Sequence, residues 1–322
     1  MEKVLVLGGS YFVGKKIVEY LSSAGYLVDI LNRGSCNDNI NCNEVILCDR
    51  NNIELMKDKL QGRKYDTIID VSGLNKKQVQ ILCSSIDYST VKNHIFISSS
   101  AVYDVDNINA PYSENMALGR NKYWKYYGTD KIDAEQYLSE FFKVKNTNLY
   151  MLRPPYMYGE NNYARRESMI FHHILNNKPI IVPGDGSTKI QFMYTGDLAK
   201  VIENLIKLSN NGVQEIYNVG NSESVTFIEW INYCFTACNN KTEIITYDYD
   251  KNKYIAKDFF PFDDYDDVLD VSKVHKILKE DTDFLEGLKK CYKWYLEKKD
   301  EIEMKQNVTK NEEEIIKSLD II

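Results

Sequence analysis

The chain has 322 residues, 43% of them hydrophobic, with 40 basic against 47 acidic side chains and a formal net charge of −7. That length supports a substantial core in one large domain or two moderate ones, so no metal or disulfide is needed to rescue a small fold. The acidic balance, with a pI near 5.3, argues against a nucleic-acid or anionic-membrane surface and leaves small-molecule metabolites as the expected partners. The seven cysteines are an odd number, and Cys36, Cys42 and Cys48 recur at six-residue intervals that match no zinc spacing. Free reduced thiols and no metal site are therefore expected.

The N-terminal MEKVLVLGG enters a strand pattern at once, without a basic n-region, a long apolar stretch or a small-residue cleavage site. This implies a cytoplasmic protein with no membrane span. Short apolar runs at 4–7, 27–31, 45–47, 67–71, 94–98 and 149–152 alternate with helical periodicity or loops. That is the pattern of buried parallel strands joined by crossover helices. The first crossover helix is predicted over 15–24, with Ile17, Val18 and Leu21 apolar and Gly25 as its C-cap.

Between that strand and that helix stands GGSYFVG, residues 8–14. A strand, then glycines, then a helix aims N–H groups and the positive end of the helix dipole at a pyrophosphate. Gly8 permits the tight turn and Gly14 lets the helix lie close, with Ser10, Tyr11, Phe12 and Val13 completing the dinucleotide contact. Tyr11 stands where a glycine is expected. The second strand ends in Asn32-Arg33, about 20 residues on, where an acidic residue would hold a ribose 2′-hydroxyl. Asn32 removes repulsion toward a 2′-phosphate and Arg33 supplies a planar cation for it, which favours NADP(H) over NAD(H). The plainer reading of Arg33 is an exposed arginine at a strand end. Asp49 and Arg50, after the third strand, are placed to edge the adenine.

YYGTDKIDAE puts Tyr127 and Lys131 four apart, on one face of a helix. The spacing selects nothing by itself in a chain of 24 tyrosines, since it also occurs at Tyr11, Tyr88, Tyr247, Tyr249 and Tyr295. Context selects Tyr127: it follows the strand segment HIFISSSAVY and lies in a helical stretch that continues through Glu135 and Leu138. Beyond residue 153 the pattern changes to loops rich in Gly, Asn and Tyr between short helices such as 197–208, a smaller region suited to holding a ligand at the strand ends.

Taken together, these residues resemble the extended form of the short-chain dehydrogenase/reductase superfamily, the nucleotide-sugar epimerases and dehydratases. The usual turn there reads GGxGFxG. Atypical members, including the chloroplast stem-loop-binding group, carry a large side chain at the Tyr11 position and share the NRG found here at Asn32 to Gly34. RPPYMYG at 153–159, PGDGSTKIQFMYTGD at 183–197, YNVG at 217–220 and VLDVSK at 268–273 extend the resemblance over about residues 1–290. It implies an α/β fold, a Rossmann-type doubly wound parallel sheet with a smaller C-terminal α/β substrate-binding region. The expected boundaries are 1–155 for the dinucleotide domain and 156–299 for the substrate region, some of whose segments return to the first. A charged tail, a surface helix or frayed end, is expected at 300–322.

The resemblance also implies a catalytic set. A serine three residues before Val102-Tyr103 picks Ser99, which would hydrogen-bond the reacting oxygen. Tyr127, its pKa lowered by the Lys131 charge, would act as general acid or base, and Lys131 would also hold the nicotinamide ribose. Pro154 joins the cofactor contacts. Ser100, Tyr156 and Lys189 are the substrate candidates. Tyr156 occupies a position usually given to asparagine, and Ile190 one often given to an arginine that grips a sugar-nucleotide diphosphate, for which Lys189 would substitute as a point charge. Related dehydratases carry Asp-Glu directly after the catalytic Ser/Thr, whereas this chain has Ser100-Ala101, so epimerisation or carbonyl reduction is expected over dehydration. The implied protein is an NAD(P)-dependent nucleotide-sugar 4-epimerase or keto-sugar reductase and a homodimer. The alternatives are a reductase of small non-nucleotide carbonyls and a non-catalytic dinucleotide-binding module that binds RNA, against which the net charge and the retained triad both count.

Overall fold

The computed structural model describes residues 1–34, 40–251, 253–303 and 305–319; Cys36 lies outside them. In chain order the elements are β1 (Lys3–Leu7), α1 (Phe12–Ser23), β2 (Leu27–Asn32), β3 (Glu44–Leu47), α2 (Ile53–Leu60), β4 (Thr67–Asp70), α3 (Lys76–Ser85), β5 (Asn93–Ile97), α4 (Lys125–Phe142) and β6 (Asn148–Arg153). They continue through β7 (Tyr156–Tyr158), α5 (Arg166–Leu175), β8 (Ile180–Pro183), β9 (Lys189–Tyr194), α6 (Thr195–Ile206), β10 (Gln214–Asn218), β11 (Ser224–Thr226), α7 (Phe227–Cys238), β12 (Ile244–Tyr247), α8 (Phe284–Lys298) and α9 (Gln306–Ser318). All six predicted runs are strands. The first helix opens at Phe12, three residues before its predicted start, because the turn itself winds into the helix.

Two compact units share the chain. The first comprises Met1–Met157, Phe192–Ser222 and Leu269–Asp281. Its seven-stranded sheet runs β10-β6-β5-β4-β1-β2-β3, and every pairing in it is parallel. Sequence order reverses between β1 and β4, where Leu7 is in register with both Leu31 and Asp70. Ligands of such sheets bind beyond the strand ends at that reversal. Strand periodicity builds the two layers: Val4 and Val6 of β1 enter one apolar cluster with Ile17, Val18 and Leu21 of α1 and Val201, Ile202 and Leu205 of α6. The alternate residues Leu5 and Leu7 enter another with Met56 and Leu60 of α2 and Ile81 and Leu82 of α3. Each such side chain contributes roughly 1.5–3 kcal/mol by burial.

The second unit comprises Tyr158–Gln191, Glu223–Val268 and Thr282–Ile322. β8 and β12 pair in parallel, and β11 runs antiparallel to residues 189–191 of β9. Its core is aromatic: Trp230 meets Phe262 edge-on at 4.7 Å between ring centres, and Phe227 lies 4.8 Å from Phe260. The stretch expected as a charged tail forms α9 inside this unit, with Ile315 1% exposed and Glu312 Oε1 3.0 Å from His173 Nε2. Its sparse apolar residues recur at helical spacing, which suffices to bury one face. Cys234 and Cys238 are buried on α7, and the six described cysteines are free. Among the described residues no helix is long and apolar enough to cross a membrane, and no group of side chains could hold a metal ion.

Candidate functional site

The turn after β1 is built as its glycines require. Gly8 has φ +83°, and a Cβ on Gly14 would stand 2.0 Å from the Gly8 carbonyl oxygen, so only glycine allows α1 to begin this close to the strand. Gly8 N–H donates to the Leu31 carbonyl at 3.0 Å, which pins the turn to the neighbouring strand. Tyr11 is the N-cap of α1, in extended backbone, and is 43% exposed. The next residue, Phe12, takes φ +42° and is buried with Val13. A bulky side chain in the left-handed region costs on the order of 1–2 kcal/mol. The turn thus keeps its shape without a glycine at position 11 by sending the tyrosine ring outward and placing the strain on Phe12. Ser10, before them, is half-buried.

At the ends of β2 and β3, Asn32 Oδ1 accepts the Gly34 N–H at 2.8 Å, and Arg33 is exposed. Asp49 accepts from the backbone and side chain of Asn51, and these bonds, together with the nearby Arg33 charge, hold its carboxyl below the usual range. Arg50 goes the other way. Its guanidinium is buried and forks onto Asp70 at 2.6 and 2.8 Å, and it also donates to Ser72 Oγ at 2.7 Å. An adenine-edging role for Arg50 is therefore set aside: the guanidinium is spent on an internal carboxylate.

Asp70, at the end of β4, is fully buried; burial alone would raise its pKa, and the Arg50 charge brings it below the usual carboxylate value. A side chain on Gly73 would collide with Asp70 Oδ2 at 2.6 Å. This close packing presents the Gly73 carbonyl to Lys131, whose Nζ donates to it at 2.6 Å and to the Ile97 carbonyl at 2.7 Å. Burial pushes the Lys131 ammonium down to about 8, against the opposing pull of Asp70. Its Nζ lies 6.0 Å from the centre of the Tyr127 ring, one turn earlier on α4, and Tyr127 itself is 38% exposed. The pair thus joins an anchored cation to an accessible phenol.

Two residues that motif reading passed over hold the serine loop against this helix. Gly128, directly after Tyr127, would put a Cβ 2.3 Å from the Ala101 carbonyl; a glycine inside a helix costs about 1 kcal/mol, and that unfavourable choice is the signal of close packing. Asn121 donates to the carbonyls of Ala101 and Tyr103 at 3.2 and 2.9 Å while its Oδ1 accepts the Trp124 N–H at 2.8 Å, tying the loop to the start of α4. Ser99 caps the one-turn helix Ser100–Val102, accepting the Ala101 N–H at 3.2 Å. Ser100 is buried and donates its N–H to the Pro154 carbonyl at 2.8 Å. Tyr156 is buried with its ring 6.0 Å from Trp124, which lies 5.9 Å from Tyr127. One turn beyond Lys131, Glu135 pairs with the buried Arg153 at 2.6 Å, and Arg153 also donates to Tyr103 Oη at 3.1 Å. The first unit therefore holds the turn, Arg33 near Asp49, and the loop that carries Ser99 packed against the helix that carries Tyr127 and Lys131. Lys189 belongs to the second unit, where its N–H donates to Asp266 at 2.8 Å.

Residues 4–220 match the family model described as NAD dependent epimerase/dehydratase family. The chain belongs to that family. It is a family of NAD-dependent enzymes of the extended short-chain dehydrogenase/reductase type, consistent with the glycine turn and the sheet reversal above. Chloroplast stem-loop binding protein of 41 kDa b from Arabidopsis thaliana is 27% identical over 308 residues, 90% of this chain and 78% of its own length. Two solved structures share the fold. The UDP-glucose 4-epimerase of Thermotoga maritima, solved with UDP-glucose, has a TM-score of 0.77 at 18% identity over 92% of this chain and 99% of its own. The dTDP-glucose 4,6-dehydratase of Bacillus anthracis, solved with NAD, has a TM-score of 0.74 at 18% identity over 93% of this chain and 98% of its own.

Proposed function

We propose that this family member carries out NAD(P)-dependent redox chemistry at a hydroxyl or keto group of a nucleotide sugar, as a 4-epimerase or keto-sugar reductase. The observation that carries the reading is Lys131, buried and anchored to the carbonyls of Gly73 and Ile97 one helical turn from the accessible Tyr127. The absence of a Cβ on Gly14, where one would fill the turn, supports the fit of a dinucleotide. Gly8, Ser10, Tyr11, Phe12, Val13 and Gly14 would hold its pyrophosphate, Asn32, Arg33 and Asp49 its adenosine ribose, and Tyr127, Lys131 and Pro154 its nicotinamide half. When bound, the nicotinamide supplies the acceptor and donor of hydride.

Tyr127 takes the proton from the substrate hydroxyl and returns it to the keto oxygen in the reverse direction. Lys131 keeps that phenol acidic through its charge, and Ser99 holds the same substrate oxygen. Ser100, Tyr156 and Lys189 are proposed to touch the substrate, and the family's α4 surface to pair two copies. Ser100-Ala101 offers no acid and base for elimination, so the reading favours epimerisation or carbonyl reduction over dehydration.

Arg33 supports a preference for NADP(H). Arg33→Ala should weaken NADPH binding by about tenfold or more, the share of one charge-assisted phosphate contact, and leave NADH affinity unchanged; equal loss for both would end the preference. The deciding measurement is the dinucleotide released per chain when the purified protein is denatured, read by mass spectrometry. Near-stoichiometric retention supports an epimerase, which recovers its hydride from the same cofactor. An empty protein that binds added NADPH supports a reductase. One that binds neither cofactor overturns both. The stem-loop binding relative motivates a second reading, RNA binding without catalysis, which requires filter binding that weakens steeply with salt.

A further inference from the structure

Arg50 stands three residues beyond β3 and Asp70 ends β4, with β1 and β2 lying between those two strands. The guanidinium reaches across that width to fork onto Asp70 at 2.6 and 2.8 Å and to donate to Ser72 Oγ at 2.7 Å. Both charges are buried, and Arg50 Nε is buried without a hydrogen-bond partner among the described residues. A buried pair of this kind contributes little net stability, because desolvation offsets the attraction and apolar residues of similar shape hold a core as well. Stability alone therefore does not explain why the pair is here.

What the pair holds is the three-residue stretch after β4. Val71 N–H donates to the Leu7 carbonyl at 3.1 Å, Ser72 is bound by Arg50, and a Cβ on Gly8 would stand 2.7 Å from Ser72 Cβ. A Cβ on Gly73 would meet Asp70 Oδ2 at 2.6 Å and the Phe96 ring at 2.9 Å. The stretch is thus wedged among Gly8, Asp70 and Phe96, with no slack for a side chain at either glycine. Its last carbonyl, that of Gly73, accepts from Lys131 Nζ at 2.6 Å, and the same ammonium lies 4.7 Å from the Phe96 ring centre. Asp70 therefore packs on the backbone that Lys131 grips, and Arg50 fixes Asp70 and Ser72 at once. Burial lowers the Lys131 pKa to about 8, Asp70 pulls it up and Arg50 opposes that pull, so removing both charges together disturbs the ammonium less than removing one.

We propose that Arg50 and Asp70 are positioning residues for Lys131, clamping residues 71–73 so that the Gly73 carbonyl meets the ammonium one helical turn from Tyr127. This role rests on the reading of Lys131 as the partner of Tyr127. Lys131 Nζ bonds to the carbonyls of Gly73 and Ile97, so the pair acts on it through the backbone. A fork suits that task because two parallel bonds fix direction as well as distance, which a lysine at position 50 would not do.

The test replaces both charges in the full chain, as Arg50→Met with Asp70→Leu, which follow the outlines of the pair and should leave urea unfolding near that of the wild type. Pulse labelling with acetic anhydride, read by mass spectrometry, then reports on each lysine. Buried Lys131 should be protected in the wild type and acetylated about tenfold or more faster in the pair variant, with the other lysines unchanged. Arg50→Lys keeps the charge and loses the fork; it should raise Lys131 labelling by about threefold or more, and it decides the matter if the pair variant does not fold. NADH titration gives a second readout. The pair substitution should weaken binding by about tenfold in the wild-type background and change it by less than about twofold once Lys131→Met is present. Unchanged Lys131 labelling in a folded variant, or equal losses of affinity with and without Lys131→Met, would overturn the clamp. A wild type that binds no NADH would end the cofactor reading, while the labelling would still decide the clamp.

Discussion

One buried carboxylate of the second unit is held differently from those near the site in the first. In the first, every deeply buried carboxylate near the site is matched by a cation: Asp70 by Arg50 and Glu135 by Arg153. In the second, Glu167 is buried on α5, where Asn162 Nδ2 donates to it at 2.8 Å, and burial drives its carboxyl up to about 7 against a backbone hydrogen bond, the Arg166 charge and the Asn162 bond. Close ion pairing keeps a charge in place at neutral pH, whereas burial that outweighs the nearby donors and charges removes it by protonation. A unit whose strand ends must hold Lys131 charged needs the first arrangement. The second arrangement makes stability depend on pH.

The largest effect that would sharpen this contrast is on turnover. Lys131→Met should lower kcat by about 10²–10⁴, the usual contribution of acid–base assistance. With the ammonium at about 8, wild-type kcat should fall as pH rises through 8 because Lys131 discharges there. Lys131→Arg, charged throughout, should lack that limb; a limb that survives unchanged would show that another group titrates.

Asp70→Asn should destabilise the first unit by about 3–5 kcal/mol, since it leaves the Arg50 guanidinium buried without its carboxylate. Urea unfolding measures this, and a loss under about 1 kcal/mol would mean that Arg50 finds another partner. Gly14→Ala should weaken dinucleotide binding on the order of 10²-fold, as the Cβ displaces the turn by forcing apart atoms at 2.0 Å. Calorimetry with NAD and NADPH reads it, with the second unit's melting as the internal control.

The smallest effect has the opposite sign. The Glu167 carboxyl is raised from its ordinary 4.5 to about 7, so its stabilising contribution is complete below pH 4.5 and is lost as pH rises through 7. Glu167→Gln should therefore stabilise the protein at pH 8 by on the order of 1–3 kcal/mol and flatten the change in Tm between pH 5 and 8. A destabilised variant would place Glu167 with the paired carboxylates and break the comparison.

The site was partly legible in the sequence because its local pieces are short. A strand leading through glycines to a helix needs only residues 3–23, and Tyr127 with Lys131 needs one helical turn. Gly128 was also there to be read, as a helix glycine between those two residues. Arg50 was misread because its partner Asp70 is 20 residues away, on a strand with β1 and β2 between it and β3. No local spacing reports that contact. The stretch 300–322 was underestimated for a related reason: its burial depends on partners such as His173, more than 130 residues earlier.

By itself the sequence determined the elements with a periodicity of their own: alternating or continuous apolar strands, the helix after the glycine turn, and the face that carries Tyr127 and Lys131. The tertiary structure alone decided which cations are buried and which remain exposed. It turned Arg50 inward and Arg33 outward, anchored Lys131 on the carbonyls of Gly73 and Ile97, and set Glu312 of α9 against His173. The physical reason is that backbone periodicity is set by neighbours a few residues apart, whereas desolvation and ion pairing depend on which strands and helices the fold brings side by side.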